Sequence, residues 1–179
     1  MIYFFLAEGF EEIEALCPID ILRRAGLEVK TVGIGSKQIC GAHGITVTAD
    51  MLDSEYQDKN PELIFLPGGI PGTLNLKASD TVQRAIKEAL ECDAYIAAIC
   101  AAPMILGELG LLQGKEAVCY PGFEDKLIGA RISEKKVVQD SKILTAKGMG
   151  AALDFGLMIA QIFKGKKTAD DLRHAIIAD

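Results

Sequence analysis

The sequence predicts one α/β domain built on a mainly parallel sheet with helices on both faces. Three observations carry that expectation. Short apolar runs alternate with helix-length segments, the pattern of strands buried on both sides. At 179 residues and 50% hydrophobic composition the chain can fill a single sizeable core. No linker, repeat or low-complexity tract interrupts it, so residues 1–179 read as one domain.

Periodicity places a strand at Ile2–Ala7, a helix at Glu11–Ala25 stopped by Ala25-Gly26, and a strand at Glu28–Ile34. Pro18 falls inside that helix and predicts a kink or a loosened first turn. Extended pieces at Lys37–Cys40 and Ile45–Ala49 flank Gly41-Ala42-His43-Gly44 and resemble a hairpin. The alternation resumes with strand Glu62–Leu66, helix Asp80–Glu91, strand Ala94–Ile99 and helix Ala101–Leu109. The remainder predicts a strand at Ala117–Tyr120, a hairpin pair Lys136–Gln139 and Ile143–Thr145, and a helix at Ala151–Phe163. After Gly165 stops that helix, Thr168 is expected to cap a last one running to Ile177.

A net charge of −6 with scattered Lys and Arg leaves no basic footprint, so nucleic acid is not expected as the primary partner. Met1–Leu6 is apolar but short and lacks a basic flank, which reads as a first strand rather than a signal peptide or membrane span. Five cysteines (Cys17, Cys40, Cys92, Cys100, Cys119) show no CxxC or paired spacing, as expected of reduced thiols in a cytoplasmic protein. With only His43 and His174 beside them, no metal site is expected. Gly68-Gly69-Ile70-Pro71-Gly72 lacks both the Walker and the dinucleotide spacing, so no cofactor is expected either.

The chemistry points to Cys100, which ends the apolar run Ala94–Ile99 just before a helix-forming segment. A strand-to-helix turn there would lift the thiol off the sheet, and the helix N-terminus would favour thiolate. The other reading of a free cysteine is a small buried hydrophobe. In an open parallel sheet, the turns after Leu6, Leu66 and Ile99 converge outside the strand ends. That convergence makes the backbone N–H groups of Gly69 and Ala101 the expected oxyanion donors. Among the acidic residues after the first strand, Glu14 lies on the apolar side of its helix, where a carboxyl group tends to stay neutral. Glu8, Glu11 and Glu12 read as a solvated first turn.

Ala7-Glu8-Gly9-Phe10-Glu11-Glu12-Ile13-Glu14, Arg23-Arg24-Ala25-Gly26, Leu66-Pro67-Gly68-Gly69, Ala97–Pro103 and Leu144-Thr145-Ala146-Lys147-Gly148 together resemble the DJ-1/PfpI superfamily, nearest its DJ-1/YajL/ThiJ branch. The resemblance implies a flavodoxin-like sandwich, a homodimer, a reactive Cys100 readily oxidised to sulfinate, and a protonated Glu14 hydrogen-bonded to it. Two departures stand out. Ala101 replaces the histidine that follows the nucleophile in peptidase-like members, which argues against proteolysis. Tyr120 stands where several relatives place a histidine near the nucleophile, and a tyrosine is a poor base near neutral pH. Gly68 and Tyr120 are expected to line the site. His43 is a candidate to reach the neighbouring subunit's site, or else is simply exposed. Arg24 is a candidate for an anionic pocket, or else a solvated residue in a last helical turn.

The resemblance implies a cofactor-free enzyme of the glyoxalase III or deglycase type, acting on a small dicarbonyl such as methylglyoxal or glyoxal in carbonyl and oxidative stress. The alternative it leaves is a non-catalytic oxidative-stress sensor or redox-regulated chaperone that responds through Cys100.

Overall fold

The computed structural model describes residues 1–178; Asp179, the last residue of the expected domain, lies outside them. In chain order the elements are β1 (Ile2–Leu6), α1 (Glu12–Arg24), β2 (Val29–Gly33), β3 (Gln38–Cys40), β4 (Thr46–Thr48), β5 (Met51–Leu52), β6 (Leu63–Leu66), α2 (Gly72–Ala78), α3 (Asp80–Glu91) and β7 (Tyr95–Ile99). They continue with α4 (Pro103–Glu108), β8 (Glu116–Ala117), β9 (Arg131–Ile132), β10 (Val137–Asp140), β11 (Ile143–Ala146), α5 (Ala152–Lys164) and α6 (Lys166–Ala175).

Among the described residues, seven strands form one sheet in the order β10-β11-β7-β6-β1-β2-β5. Every pairing in it is parallel except the β10–β11 hairpin. Strand alternation sends Tyr3, Phe5, Ile64, Leu66, Ile96 and Ala98 to one face, and Ile2, Phe4, Leu6, Leu63, Phe65 and Ala97 to the other. The first set packs under α3 and α4, the second under α1 and α5, so the central strands are buried on both sides. This explains why β1, β6 and β7 read as unbroken apolar runs. Phe65 anchors the second face, stacked on Phe4 at 4.2 Å and tilted against Phe155 at 5.3 Å. No helix among the described residues is long and apolar enough to cross a membrane.

Two expectations are corrected, one helix is added, and Pro18 is accommodated within its helix. Helix α1 runs through Pro18 without a break. Proline removes one bond of the ladder there, but α5 packs against it so closely that a Cβ on Gly156 would lie 3.1 Å from Pro18 Cα. The predicted strand 117–120 pairs only through Glu116–Ala117, and with β9 outside the main sheet. Val118 and Tyr120 donate instead to the Thr145 hydroxyl (3.0 Å) and the Cys100 carbonyl (2.8 Å), which draws this segment across the ends of β11 and β7. Helix α6 starts at Lys166, with Thr168 inside it and its hydroxyl donating to the Lys164 carbonyl (3.0 Å). Helix α2 was absent from the periodicity because it begins on the glycine turn and spans seven residues.

Phe65→Ala should lower stability by about 3–5 kcal/mol, the range for removing a fully buried aromatic ring. Urea unfolding with an unchanged slope is the measurement.

Candidate active site

The sheet order reverses direction between β1 and β6, and the loops following β1, β6 and β7 meet at the carboxyl ends of these strands. Glycines let them meet. Glu11 N–H donates to the Gly68 carbonyl (2.9 Å) and Gly72 N–H to the Gly9 carbonyl (3.1 Å). A Cβ on Gly69 would lie 2.5 Å from Glu11 N, and one on Gly72 2.5 Å from Phe10 N. A Cβ on Gly68 would collide with the Glu14 carboxylate and lie 2.5 Å from Cys100 Cβ. Gly68 is therefore the gap through which the acid reaches the thiol.

Cys100 sits in the left-handed region at φ 64°, the strained conformation of a nucleophile turn. Two backbone bonds pin it: its N–H donates to the Ala146 carbonyl at the end of β11 (2.9 Å), and its own carbonyl accepts from Tyr120 N–H in the segment after β8. The sulfur is half-buried and receives the backbone N–H groups of Gly69 and Ala101, the two expected donors. Helix α4 plays a smaller part than expected. It begins only at Pro103 and spans six residues, so the two N–H groups rather than a macrodipole favour a charged sulfur.

Glu14 is 1% exposed. Its carboxyl accepts from Gly68 N–H (3.1 Å) and Met149 N–H and contacts the Cys100 thiol, while Glu11 caps the helix by accepting from Glu14 N–H (2.6 Å). Burial pushes the Glu14 carboxyl up to about 7, against the lowering effect of the Cys100 contact. Burial also pushes the Cys100 thiol up to about 12, and the charge and hydrogen bond of a Glu14 carboxylate add to that rise. Both Glu14 contributions require the ionised acid. When Glu14 holds its proton, its O–H becomes a third donor to the sulfur and the sign of its effect reverses. Above about pH 7 and below about 12 the pair carries one negative charge between its two members.

Tyr120 is half-exposed and stands beside the sulfur: a Cβ on Gly148 would lie 3.3 Å from its ring and 3.9 Å from Cys100 Sγ. Tyr120, Gly148 and Met149 line a cavity of about 430 Å³ next to the thiol. Gly148 ends a segment legible in the sequence only as family-like, without a role, and Met149 follows it unsignalled.

One expectation needs correction, and two further candidates find partners within the chain. Glu12 is not solvated; it is 2% exposed, and its two oxygens accept from His43 N–H (2.7 Å) and Ile45 N–H and meet His43 Nδ1 at 2.8 Å. Burial acts to raise its carboxyl, but these bonds outweigh that and hold it below the usual range. His43 is accordingly held by Glu12 within its own chain, with its side chain still largely exposed. Glu11, Glu12 and His43 bring ligand-type atoms within 4.8 Å of one another, yet the Glu12 oxygens already have N–H partners. Arg24 lies ten residues beyond Glu14 on α1, about 15 Å along the axis. There it pairs with Asp20 at 2.7 Å on the exposed last turn of the helix, away from Cys100 of its own chain.

The Glu14 shift has a signed consequence for stability. Between pH 4.5 and about 7 the native carboxyl keeps a proton that the unfolded chain has lost, so stability falls as pH rises through that window. Wild type should lose about 3 kcal/mol more than Glu14→Gln across it, measured by urea unfolding at each end. Equal losses would refute the buried neutral acid.

The DJ-1/PfpI family model matches residues 1–162. Protein DJ-1 homolog B of Arabidopsis thaliana is 36% identical over 175 residues, 96% of this chain and 40% of that protein. The chain spans under half the length of this relative and of the similar homolog A, 40% and 45% respectively. Glutathione-independent glyoxalase DJR-1.2 of Caenorhabditis elegans is 29% identical, covering 92% of this chain and 89% of that protein. The structure of oxidized Toxoplasma gondii DJ-1 superposes with a TM-score of 0.94 at 33% identity, over 98% of this chain and 97% of that one. The same loops that close around Cys100 thus lie inside a match running from β1 into α5, and the chain belongs to the DJ-1/PfpI family.

Proposed function

We propose that the protein converts 2-oxoaldehydes such as methylglyoxal and glyoxal to 2-hydroxy acids without a cofactor. The contact of the buried Glu14 carboxyl with the Cys100 sulfur carries this reading. The thiolate adds to the aldehyde carbon, forming a C–S bond as the carbonyl electron pair moves to oxygen and takes the Glu14 proton. The Gly69 and Ala101 N–H groups lie at the sulfur, where they can meet the developing oxyanion. The Glu14 carboxylate then removes the aldehyde-derived C–H proton, and protonation at the neighbouring carbon reduces the ketone to a carbinol. The aldehyde carbon is left as a thioester, which water hydrolyses to release the acid and the thiol. One molecule of water is consumed, and the oxidation and reduction cancel within the substrate. A carboxyl held near 7 suits an acid that must give and recover a proton near neutral pH. The similarity to a protein named as a glutathione-independent glyoxalase supports the same chemistry. A deglycase effect on glycated adducts would follow from removal of free dicarbonyl.

A second reading is favoured by the donor set itself. Two N–H groups and a carboxylic acid around one half-buried sulfur suit the oxygens of a sulfinate formed by peroxide. The relative of known structure in its oxidized form is consistent with that use.

The homodimer is proposed with both readings. Ile13 on α1 and Ile45 beside β4 are 47% and 54% exposed, and Glu12 ties the hairpin to the helix between them. Light scattering should give twice the chain mass; a monomer at micromolar concentration would also remove His43 from any shared site.

Freshly reduced wild type should form lactate from methylglyoxal, Cys100→Ala none, and Glu14→Leu about 10²–10⁴-fold less, the usual scale of a lost general acid–base. Chiral lactate detection is the measurement. No lactate from wild type, with peroxide adding two oxygens to Cys100 by mass spectrometry, would leave the sensor.

A further inference from the structure

We propose that the cavity beside Cys100 selects 2-oxoaldehydes carrying an anionic group at the far end of a short carbon chain, with Lys136 and Lys147 as its specificity residues. The inference rests on the reading of Cys100 as a dicarbonyl nucleophile and names the substrate class.

The cavity and the thiol share walls. Tyr120 and Gly148 line both, and the position of a Cβ on Gly148 is 3.9 Å from Cys100 Sγ. In the proposed binding mode, the substituent of an aldehyde bonded to the sulfur lies in this space, past Gly148. At about 430 Å³ the cavity falls in the range of sites for larger ligands, and a three-carbon dicarbonyl would leave most of it empty. The Tyr120 ring, Pro121 and Met149 supply an apolar stretch suited to a carbon chain.

Two cations complete the lining. Lys147 follows β11 and Lys136 precedes β10, and Lys147 N–H donates to the Lys136 carbonyl (3.0 Å), so both side chains leave from one end of the hairpin. Among the described residues neither forms an ion pair, which they share with Lys30, Lys59, Lys126 and Lys164, but of these lysines only Lys136 and Lys147 line the cavity. In a chain of net charge −6, two unpaired lysines on one cavity form a local field of the opposite sign. Lys147 is half-buried, which strengthens its pull on an anion. Its charge also reaches a neighbouring group: burial pushes the Cys119 thiol up to about 11, and Lys147 opposes that rise. A terminal carboxylate or phosphate on the substrate would meet both ammonium groups.

The test compares 4,5-dioxopentanoate, which this chemistry and one water convert to 2-hydroxyglutarate, with 2-oxohexanal, an uncharged chain of similar length that yields 2-hydroxyhexanoate. Wild type should favour the anion about tenfold in kcat/KM, the scale of a hydrogen bond to a charged group. Added salt should erode that preference. The Lys136→Met, Lys147→Met double variant should bring the ratio to about parity while leaving 2-oxohexanal turnover and the thermal midpoint unchanged, and Lys147→Arg should keep the preference. No preference in wild type, or a preference surviving the double variant, would overturn the proposal. Turnover of neither aldehyde would instead count against the dicarbonyl reading. The cavity is then tested in Cys100→Ser with 4-oxopentanoate, which lacks the aldehyde. Saturable shifts of the Lys147 and Gly148 amide resonances, lost in the double variant, would support the anion site, and their absence would refute it.

Discussion

The Glu14 carboxyl, buried against the Cys100 sulfur, is the constraint around which the site is organised. A carboxyl at 1% exposure must be neutral or hydrogen-bonded, and here Gly68, Met149 and the thiol surround it. Each partner comes from a different part of the chain: Gly68 follows β6, Cys100 follows β7, and Met149 precedes α5. Glu14 itself is set in the first turn of α1, capped by Glu11. Moving any of these segments would leave a buried acid without partners, so the acid couples the four loops into one structure.

The glycines follow from the same crowding. Between β1 and β6 the backbones approach so closely that a single carbon added at Gly68, Gly69 or Gly72 has no room. Gly69 also takes φ 89°, a conformation that side chains disfavour. The turn resembles a phosphate loop only in composition. Its use is to let one backbone pass another, while the N–H groups of Gly69 and Gly68 face a sulfur and a carboxyl.

Charge is distributed with similar economy. Glu12 and Glu14 lie two residues apart and are both buried, yet their environments drive them in opposite directions. Glu12 accepts three donors from the hairpin turn and stays ionised, tying that turn to α1. Glu14 is buried with fewer donors and an acidic neighbour in Glu11, and these outweigh the lowering effect of its thiol partner, so it holds its proton into the neutral range. This contrast assigns one glutamate to architecture and the other to chemistry.

Apolar periodicity determined the alternation of β1, β6 and β7 with α1, α3 and α4, because strands buried on both faces must be apolar throughout. Cys100 and Glu14 were legible too, one from the end of an apolar run before a helix, the other from its place on an apolar helix face. Local pattern left the rest open because it depends on distant partners. Glu12 is buried only because a hairpin thirty residues later folds over it. Arg24 stands apart from Glu14 of its own chain because the helix carries it about 15 Å from its first turn. Residues 118–120 bridge the ends of β11 and β7 rather than extend the sheet, since a hydroxyl and a carbonyl there need donors. The cavity with its two lysines arises where a hairpin end, a bridging loop and the nucleophile turn meet, and only the tertiary fold brings those three together.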